Sequence, residues 1–226
     1  MKVAIVGCGF VGKAYVQALT TAHFVYVIDP ALNTCKLSDH PHYDGIIVCV
    51  PTPSNADGSC DYSIVTEVMD TIPDPTTPVM IKSTIDLAAW KHLSAKYANP
   101  LTFSPEFLRQ DFADKDMKDN KYCILAGDDC NTWWSILVSA PTFRHKIYRY
   151  CFKEVEEAII MKYAVNSFLA TKVMFFNQLK EFCDDNALNF AKVRSMVITD
   201  ARIGPSHSNV TEQGGFGGAC FPKDTK

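Results

Sequence analysis

Short apolar runs rich in β-branched residues alternate with longer amphipathic stretches along residues 1–150. The runs are Lys2–Val6, Val25–Ile28, Ile46–Val50, Val79–Ile81, Leu101–Phe103, Tyr122–Leu125 and Ile147–Tyr150. Each ends in polar or turn residues, and their lengths predict strands. Helical patterns fall between them at Val11–Thr20, Tyr62–Thr71, Leu87–Tyr97 and Asn131–Ser139. This alternation predicts an α/β domain with a parallel sheet covered by helices on both faces. The connection between Asp29 and Ile46 is short and holds His40, Pro41 and His42. No full crossover helix is expected there, and the two histidines lack the further ligands of a metal site.

Beyond this domain the pattern changes. Glu154–Asp185 contains neither Pro nor Gly, and Glu154, Glu156 and Glu157 suit the positive end of a helix. From Ile159 to Phe176 the apolar residues run nearly all round, which predicts a helix buried on every face, against the sheet domain and a second subunit. Lys162 and Asn166 interrupt this stretch, four apart and so on one face. Either Lys162 snorkels to solvent, or the face opens onto a polar site where amine and amide stabilise an oxyanion. The expected division is residues 1–151 and 152–226, a sheet domain followed by a long helix and a small helical segment.

Composition narrows the function classes. The net charge of −3 over 226 residues gives no electrostatic case for nucleic acid or an anionic membrane surface. No uninterrupted apolar run reaches the roughly 18–20 residues of a bilayer span. The N-terminus reads as a strand, not a signal peptide. Nine cysteines without CxxC spacing argue against a zinc ribbon or redox dithiol and for reduced thiols in a cytoplasmic protein.

The first strand runs into Gly7-Cys8-Gly9-Phe10-Val11-Gly12, a G-x-G-x-x-G turn with a helix after it and Asp29 closing the second strand. In that context the glycines serve a tight turn, close approach of a pyrophosphate, and helix–strand packing. Asp29 suits ribose hydroxyls and repels the extra phosphate of NADP, so NAD is the expected cofactor. Gly7, Asp29, Thr52, Thr84 and Glu106 all follow strand carboxyl ends, the edge where such sheets bind ligands. The chain closes on Gly214-Gly215-Phe216-Gly217-Gly218-Ala219-Cys220-Phe221-Pro222-Lys223-Asp224. Proline suits a first helical turn, which puts Cys220 near a helix N-terminus, where a thiolate is favoured. The plainer alternative is a glycine tail with an inert cysteine.

Seven ordered stretches carry a resemblance to the UDP-glucose/GDP-mannose dehydrogenase family. They are Gly7–Gly12; Val50-Pro51-Thr52-Pro53 with Asp57-Gly58-Ser59; Lys82-Ser83-Thr84; Ser104-Pro105-Glu106-Phe107-Leu108-Arg109; Lys162–Lys172; Asp200–Gly204; and Gly217–Asp224. The resemblance implies a Rossmann-type NAD domain and a four-electron oxidation of a nucleotide sugar, UDP-glucose foremost, to the uronate. It implies Cys220 as nucleophile, Lys162 and Asn166 as oxyanion stabilisers, and Asp224 as a group positioning the lysine and a water. Glu106 and Thr84 would hold the hydrolytic water. Phe10, Val11, Thr52, Thr84 and Lys223 would touch NAD. Phe107, Leu108, Arg109, Gly217 and Arg202 would join Glu106, Lys162 and Asn166 against the substrate, Arg202 from the neighbouring subunit in some members. A homodimer through the long helix is also implied.

Gln110 stands where many members carry a second glutamate, the loop after Asp29 is shorter, and the second nucleotide-binding domain of the family is not in these residues. Two other readings stay open: an NAD-binding, dimerising module without turnover, and a single-step β-hydroxyacid dehydrogenase.

Overall fold

A computed structural model describes residues 1–32, 35–40, 42–127, 129–145, 148–212, 214–217 and 221–225, without the side chain of Lys223. The chain divides into two compact units, Met1–Ile160 and Met161–Lys226.

The first unit is built on a seven-stranded sheet. Its strands are β1 (Lys2–Val6), β2 (Phe24–Ile28), β3 (Gly45–Val48), β4 (Val79–Ile81), β5 (Leu101–Phe103), β6 (Tyr122–Gly127) and β7 (Tyr148–Phe152). Their spatial order is β2-β1-β3-β4-β5-β6-β7. The helices are α1 (Phe10–Leu19), α2 (Ser63–Asp70), α3 (Leu87–Lys96), α4 (Ala113–Asp119), α5 (Cys130–Ser139) and α6 (Pro141–Arg144). Among the described residues between β2 and β3 lie two 3-10 turns, Pro30–Leu32 and Leu37–Asp39, and no longer helix, as the short connection predicts. The step from β1 to β2 runs one way across the sheet and the steps from β3 to β5 run the other. Right-handed crossovers therefore place α1 on one face and α2 and α3 on the opposite one. The change of direction opens a crevice beyond the carboxyl ends of β1 and β3, the place where such sheets bind ligands.

Val3, Ile5, Ile47 and Met80 share a buried cluster with Ala14, Tyr15, Ala18 and Leu19 of α1 and with Trp133, Ile136 and Leu137 of α5. Small residues on α1 let it lie close to the sheet. β3 is buried at all four positions, as a central strand should be.

The all-parallel expectation needs correction at one pair: β6 is antiparallel to β5, then parallel to β7. The chain leaves β5 and turns through α4 at the same sheet edge, so no crossover is made. α4, whose short acidic pattern escaped the sequence reading, is the element that reverses the chain. Consequently the start of β6 at Tyr122, not its end, faces the ligand-binding edge.

The second unit contains most of α7 (Val155–Asp185), α8 (Phe190–Val197) and α9 (Phe221–Asp224). α7 is not buried on every face within one chain. Lys162, Asn166, Ala170, Phe176 and Asn177 are buried, whereas Phe168, Phe175 and Phe182 are exposed at 68%, 52% and 61%. By length and composition α7 also meets the requirement for a bilayer span, with an 18-residue window of mean hydropathy 1.3. The core helix of a soluble protein passes the same test. α7 passes because the average tolerates the few polar residues that break the continuous run.

Candidate functional site

The dinucleotide turn is assembled as its spacing predicts. Gly7 has φ +88°, and a Cβ there would lie 2.7 Å from the Cys49 carbonyl oxygen across the β1–β3 crevice. Gly12 is more constrained: its Cβ would stand 2.0 Å from the Gly7 carbonyl oxygen. Gly9 differs, because among the described residues a Cβ there would meet no atom within 4 Å. No described neighbour demands glycine at position 9, which fits the close approach of a ligand. Gly9 also caps α1 without a side-chain hydrogen bond. The amides of Phe10, Val11 and Gly12 lie in the first turn, where no intrahelical acceptor exists and the helix dipole favours a pyrophosphate. The side chains of Phe10 and Val11 pack against the core cluster, so their contribution to such a site is backbone. Asp29 is fixed at the end of β2. Its carboxylate accepts from the Cys8 amide at 2.6 Å and the Ala31 amide at 2.9 Å. These residues fit an adenine dinucleotide.

Thr52 is buried just past β3, at 7% exposure. The adjoining loop is closed by Asp57, whose Oδ1 accepts from the Ser59 amide and hydroxyl at 2.9 and 2.7 Å. Those bonds hold the Asp57 carboxyl below its usual range. Thr84, past β4, is half-buried, and its carbonyl accepts the Cys60 thiol at 3.4 Å.

Past β5 the Glu106 carboxylate meets a group that sequence reasoning passed over. Lys82 Nζ lies 3.0 Å from Glu106 Oε2, with the two side chains only 2% and 12% exposed. Lys82 also donates to Ser104 Oγ at 3.1 Å and sits 4.9 Å from the centre of the Tyr15 ring. Tyr15 hydrogen-bonds Glu106; burial first, and then the glutamate's charge, hold its phenol well above the ordinary range. Glu106 Oε1 accepts the Phe107 amide at 2.9 Å. A small cavity opens beside this network, lined by Tyr15, Lys82, Glu106, Phe107, Asn120 and Tyr122. The signal in the sequence was a lysine directly after an apolar strand, where a cation needs a buried partner.

Lys82→Met should lower stability by about 2 kcal/mol, less than the roughly 3–5 kcal/mol of a fully buried pair because Glu106 reaches solvent. Thermal unfolding should shift down by roughly 4–8 °C. An unchanged midpoint would mean that the pair contributes nothing net.

Two expected substrate contacts have partners within the chain. Leu108 lies in the core cluster. Arg109 forms a two-pronged pair with Asp116, at 2.9 Å from Nε and 2.6 Å from Nη2. That pair raises the Arg109 pKa and lowers that of Asp116.

In the second unit Lys162 and Asn166 are both buried at 5% exposure, which removes the snorkelling alternative. Asn166 Nδ2 donates to Asp224 Oδ2 at 2.6 Å, joining α7 to α9. Asn177, three helical turns from Asn166 and on the same face, also escaped the sequence reading. Its Oδ1 accepts from the Gly215 amide at 3.0 Å, while its Nδ2 donates to the Val173 carbonyl at 2.8 Å. Gly214 and Gly215 both take φ +64° at this anchor. Arg202 pairs with Asp200 and is 89% exposed in its side chain. Gly217 is exposed. Cys220, with Gly218 and Ala219, lies outside the described residues, as does the Lys223 side chain.

Residues 31–149 match the NAD-binding domain of the UDP-glucose/GDP-mannose dehydrogenase family, and residues 156–226 match its central domain. The chain belongs to that family. Its cofactor is NAD. The glycine turn precedes the matched span, so its geometry adds to the match independently. A UDP-glucose 6-dehydrogenase of Streptococcus pneumoniae is 30% identical across all of this chain and 67% of its own length. The UDP-glucose 6-dehydrogenase YwqF of Bacillus subtilis is 29% identical over 80% of this chain and 43% of its own. The chain thus spans about two fifths to two thirds of these relatives. Among solved structures, a UDP-glucose dehydrogenase from Pyrobaculum islandicum aligns over 99% of this chain and 62% of its own, with a TM-score of 0.80 at 23% identity. A GDP-mannose dehydrogenase from Pseudomonas aeruginosa aligns over 99% of this chain and 62% of its own, with a TM-score of 0.74 at 21% identity. These likenesses show the fold.

Proposed function

We propose that the chain carries the NAD site and the covalent centre of a nucleotide-sugar 6-dehydrogenase, with UDP-glucose as the first candidate substrate. The observation that carries this reading is the Asn166–Asp224 hydrogen bond. It ties the buried lysine-and-asparagine face of α7 to the segment that follows Cys220, within one compact unit.

The net reaction takes a primary alcohol and one water to a carboxylate, with two NAD+ reduced and three protons released. NAD+ supplies the hydride acceptor. In this reading the alcohol carbon first loses a hydride and its oxygen a proton to solvent, giving an aldehyde. The Cys220 sulfur then adds to the aldehyde carbon, and Lys162 and Asn166 stabilise the oxyanion that forms. Loss of hydride leaves a thioester on Cys220. Water then attacks its carbonyl, the C–S bond breaks, and the thiolate is restored. Glu106 takes the water's proton and Thr84 holds the water. Gln110 cannot act as a base, so this role falls on Glu106 alone among those two positions. Asp224 orients Asn166. Cytoplasmic placement belongs to the same reading, since NAD chemistry and free thiols suit a reducing compartment.

An NADH assay over a panel of UDP- and GDP-sugars tests the proposal, with two NADH per sugar expected. One NADH per sugar would favour single-step hydroxyacid chemistry. Calorimetric NAD binding without turnover on any sugar would favour the binding module.

We also propose a homodimer through α7. Ala164, Phe168, Thr171, Phe175, Gln178 and Phe182 recur at intervals of four and three along the helix, and all are exposed. That 4–3 spacing is the seam along which two helices pack, and three phenylalanines left in water are costly. Light scattering should report a dimer for the wild type and a monomer for Phe175→Glu. A monomeric wild type would refute the assembly.

A further inference from the structure

Cys130 and Cys151 are 21 positions apart, too far for any dithiol motif, yet the fold brings them together. Cys130 opens α5 and Cys151 lies near the end of β7, at the sheet edge opposite the dinucleotide turn. Cys130 is buried; its Sγ donates to the Gly127 carbonyl at 3.2 Å and lies 4.0 Å from the carbonyl of Phe152, the residue next to Cys151. Cys151 is exposed.

The surroundings of Cys151 are built. Arg149, two residues earlier and so on the same face of β7, directs its Nε at Cys151 Sγ at 3.0 Å. The guanidinium is held in that orientation from α5. Its Nη2 donates to Asn131 Oδ1 at 2.5 Å, and its centre lies 5.6 Å from the Trp134 ring. The exposed sulfur is open to an oxidant, and the fixed guanidinium beside it can pair with the anion that departs there. Burial pushes the Cys130 thiol up to about 12, the neighbouring Cys151 sulfur adds to that shift, and Arg149 opposes it. The two sulfurs thus have distinct characters: one accessible beside a cation, the other enclosed and protonated.

We propose that Cys151 is a hydroperoxide-reactive modification site and that Cys130 is its resolving thiol. The Cys151 thiolate attacks the terminal oxygen of a hydroperoxide. An S–O bond forms, the O–O bond breaks, and the alcohol, or water from hydrogen peroxide, departs after taking a proton. The product is a sulfenic acid on Cys151. The Cys130 sulfur then attacks the Cys151 sulfur. An S–S bond forms, the S–O bond breaks, and water leaves with the Cys130 proton. Two thiols are oxidised by two electrons and one peroxide is reduced. A small dithiol reverses the change. The crosslink ties the edge strand β7 to α5, and it is independent of any turnover on nucleotide sugars.

The test treats the reduced full chain with hydrogen peroxide, blocks the remaining thiols, and maps disulfides by non-reducing peptide mass spectrometry. The expected result is a Cys130–Cys151 linked peptide lighter by two hydrogens, which dithiothreitol restores. In Cys130→Ser, a sulfenic acid on Cys151 should be trapped by dimedone in place of the crosslink. In Arg149→Met, oxidation of Cys151 should slow by about fivefold, because the cation beside the departing anion is lost. Should Cys130→Ser fail to fold, wild-type mapping still decides. Persistent sulfenic acid on wild-type Cys151, a crosslink from Cys151 to another cysteine, or Cys151 left reduced while other thiols oxidise would each overturn the proposal.

Discussion

Gly12→Ala should destroy the folded first unit, while Gly9→Ala should leave it standing and weaken only NAD binding. A methyl at position 12 would stand 2.0 Å from the Gly7 carbonyl oxygen, which is backbone and part of the turn itself. No rotamer relieves that clash; α1 has to lift away from β1. Ordinary overpacking costs roughly 1–3 kcal/mol because flexible side chains absorb part of it. Here they cannot, so a loss on the order of 4 kcal/mol or more is expected, in the range that marks a specific steric failure. The soluble yield should drop and thermal unfolding should begin far below that of the wild type.

At position 9 the same methyl meets no atom of the described residues within 4 Å, and φ is −68°. Stability should change by less than about 1 kcal/mol, the cost of a poorer helix cap. NAD affinity measured by calorimetry should fall at least about tenfold, since the methyl occupies the path of the pyrophosphate. Equal effects from both substitutions would dismiss the division of roles between these glycines.

Cys220→Ala should abolish turnover while sparing NAD binding. The proposed reaction passes twice through the sulfur, first as nucleophile and then as the leaving group of a thioester. An alanine offers neither, so kcat should fall by about 10³-fold or more. NAD affinity should stay close to the wild-type value, because the dinucleotide crevice is built from the glycine turn and the strand ends of the first unit. Retained oxidation to the uronate in this variant would end the thioester route. A surviving single hydride transfer would instead support hydroxyacid chemistry.

The strands of the first unit were readable because buried parallel strands are short continuous runs of β-branched residues, and Ile46, Ile47, Val79 and Ile81 are of that kind. The dinucleotide turn was readable because its three glycines have fixed spacing and fixed reasons. Lys162 and Asn166 stood out because polar side chains inside an apolar helix are costly without a purpose. Reversal of β6 was not readable: strand direction depends on whether the connection crosses the sheet, and periodicity is the same either way. Nor were the engagement of Lys82 with Glu106 and of Arg109 with Asp116, since charge pairing depends on which loops meet at the sheet edge. Asn177 was hidden for the same reason. Its partner is a backbone amide 38 residues away.

By itself the sequence determined the α/β class, the NAD crevice at the strand ends, the long helix with its polar face, and the family. These rest on local periodicity and on motifs whose spacing is set by backbone geometry. Only the tertiary structure decided the antiparallel entry of β6, the apolar seam of α7 left open in one chain, the Asn166–Asp224 tie, and the meeting of Cys130 with Cys151. Each of those depends on which residues distant along the chain meet, or, for the seam, fail to meet, and no local pattern records such a distance.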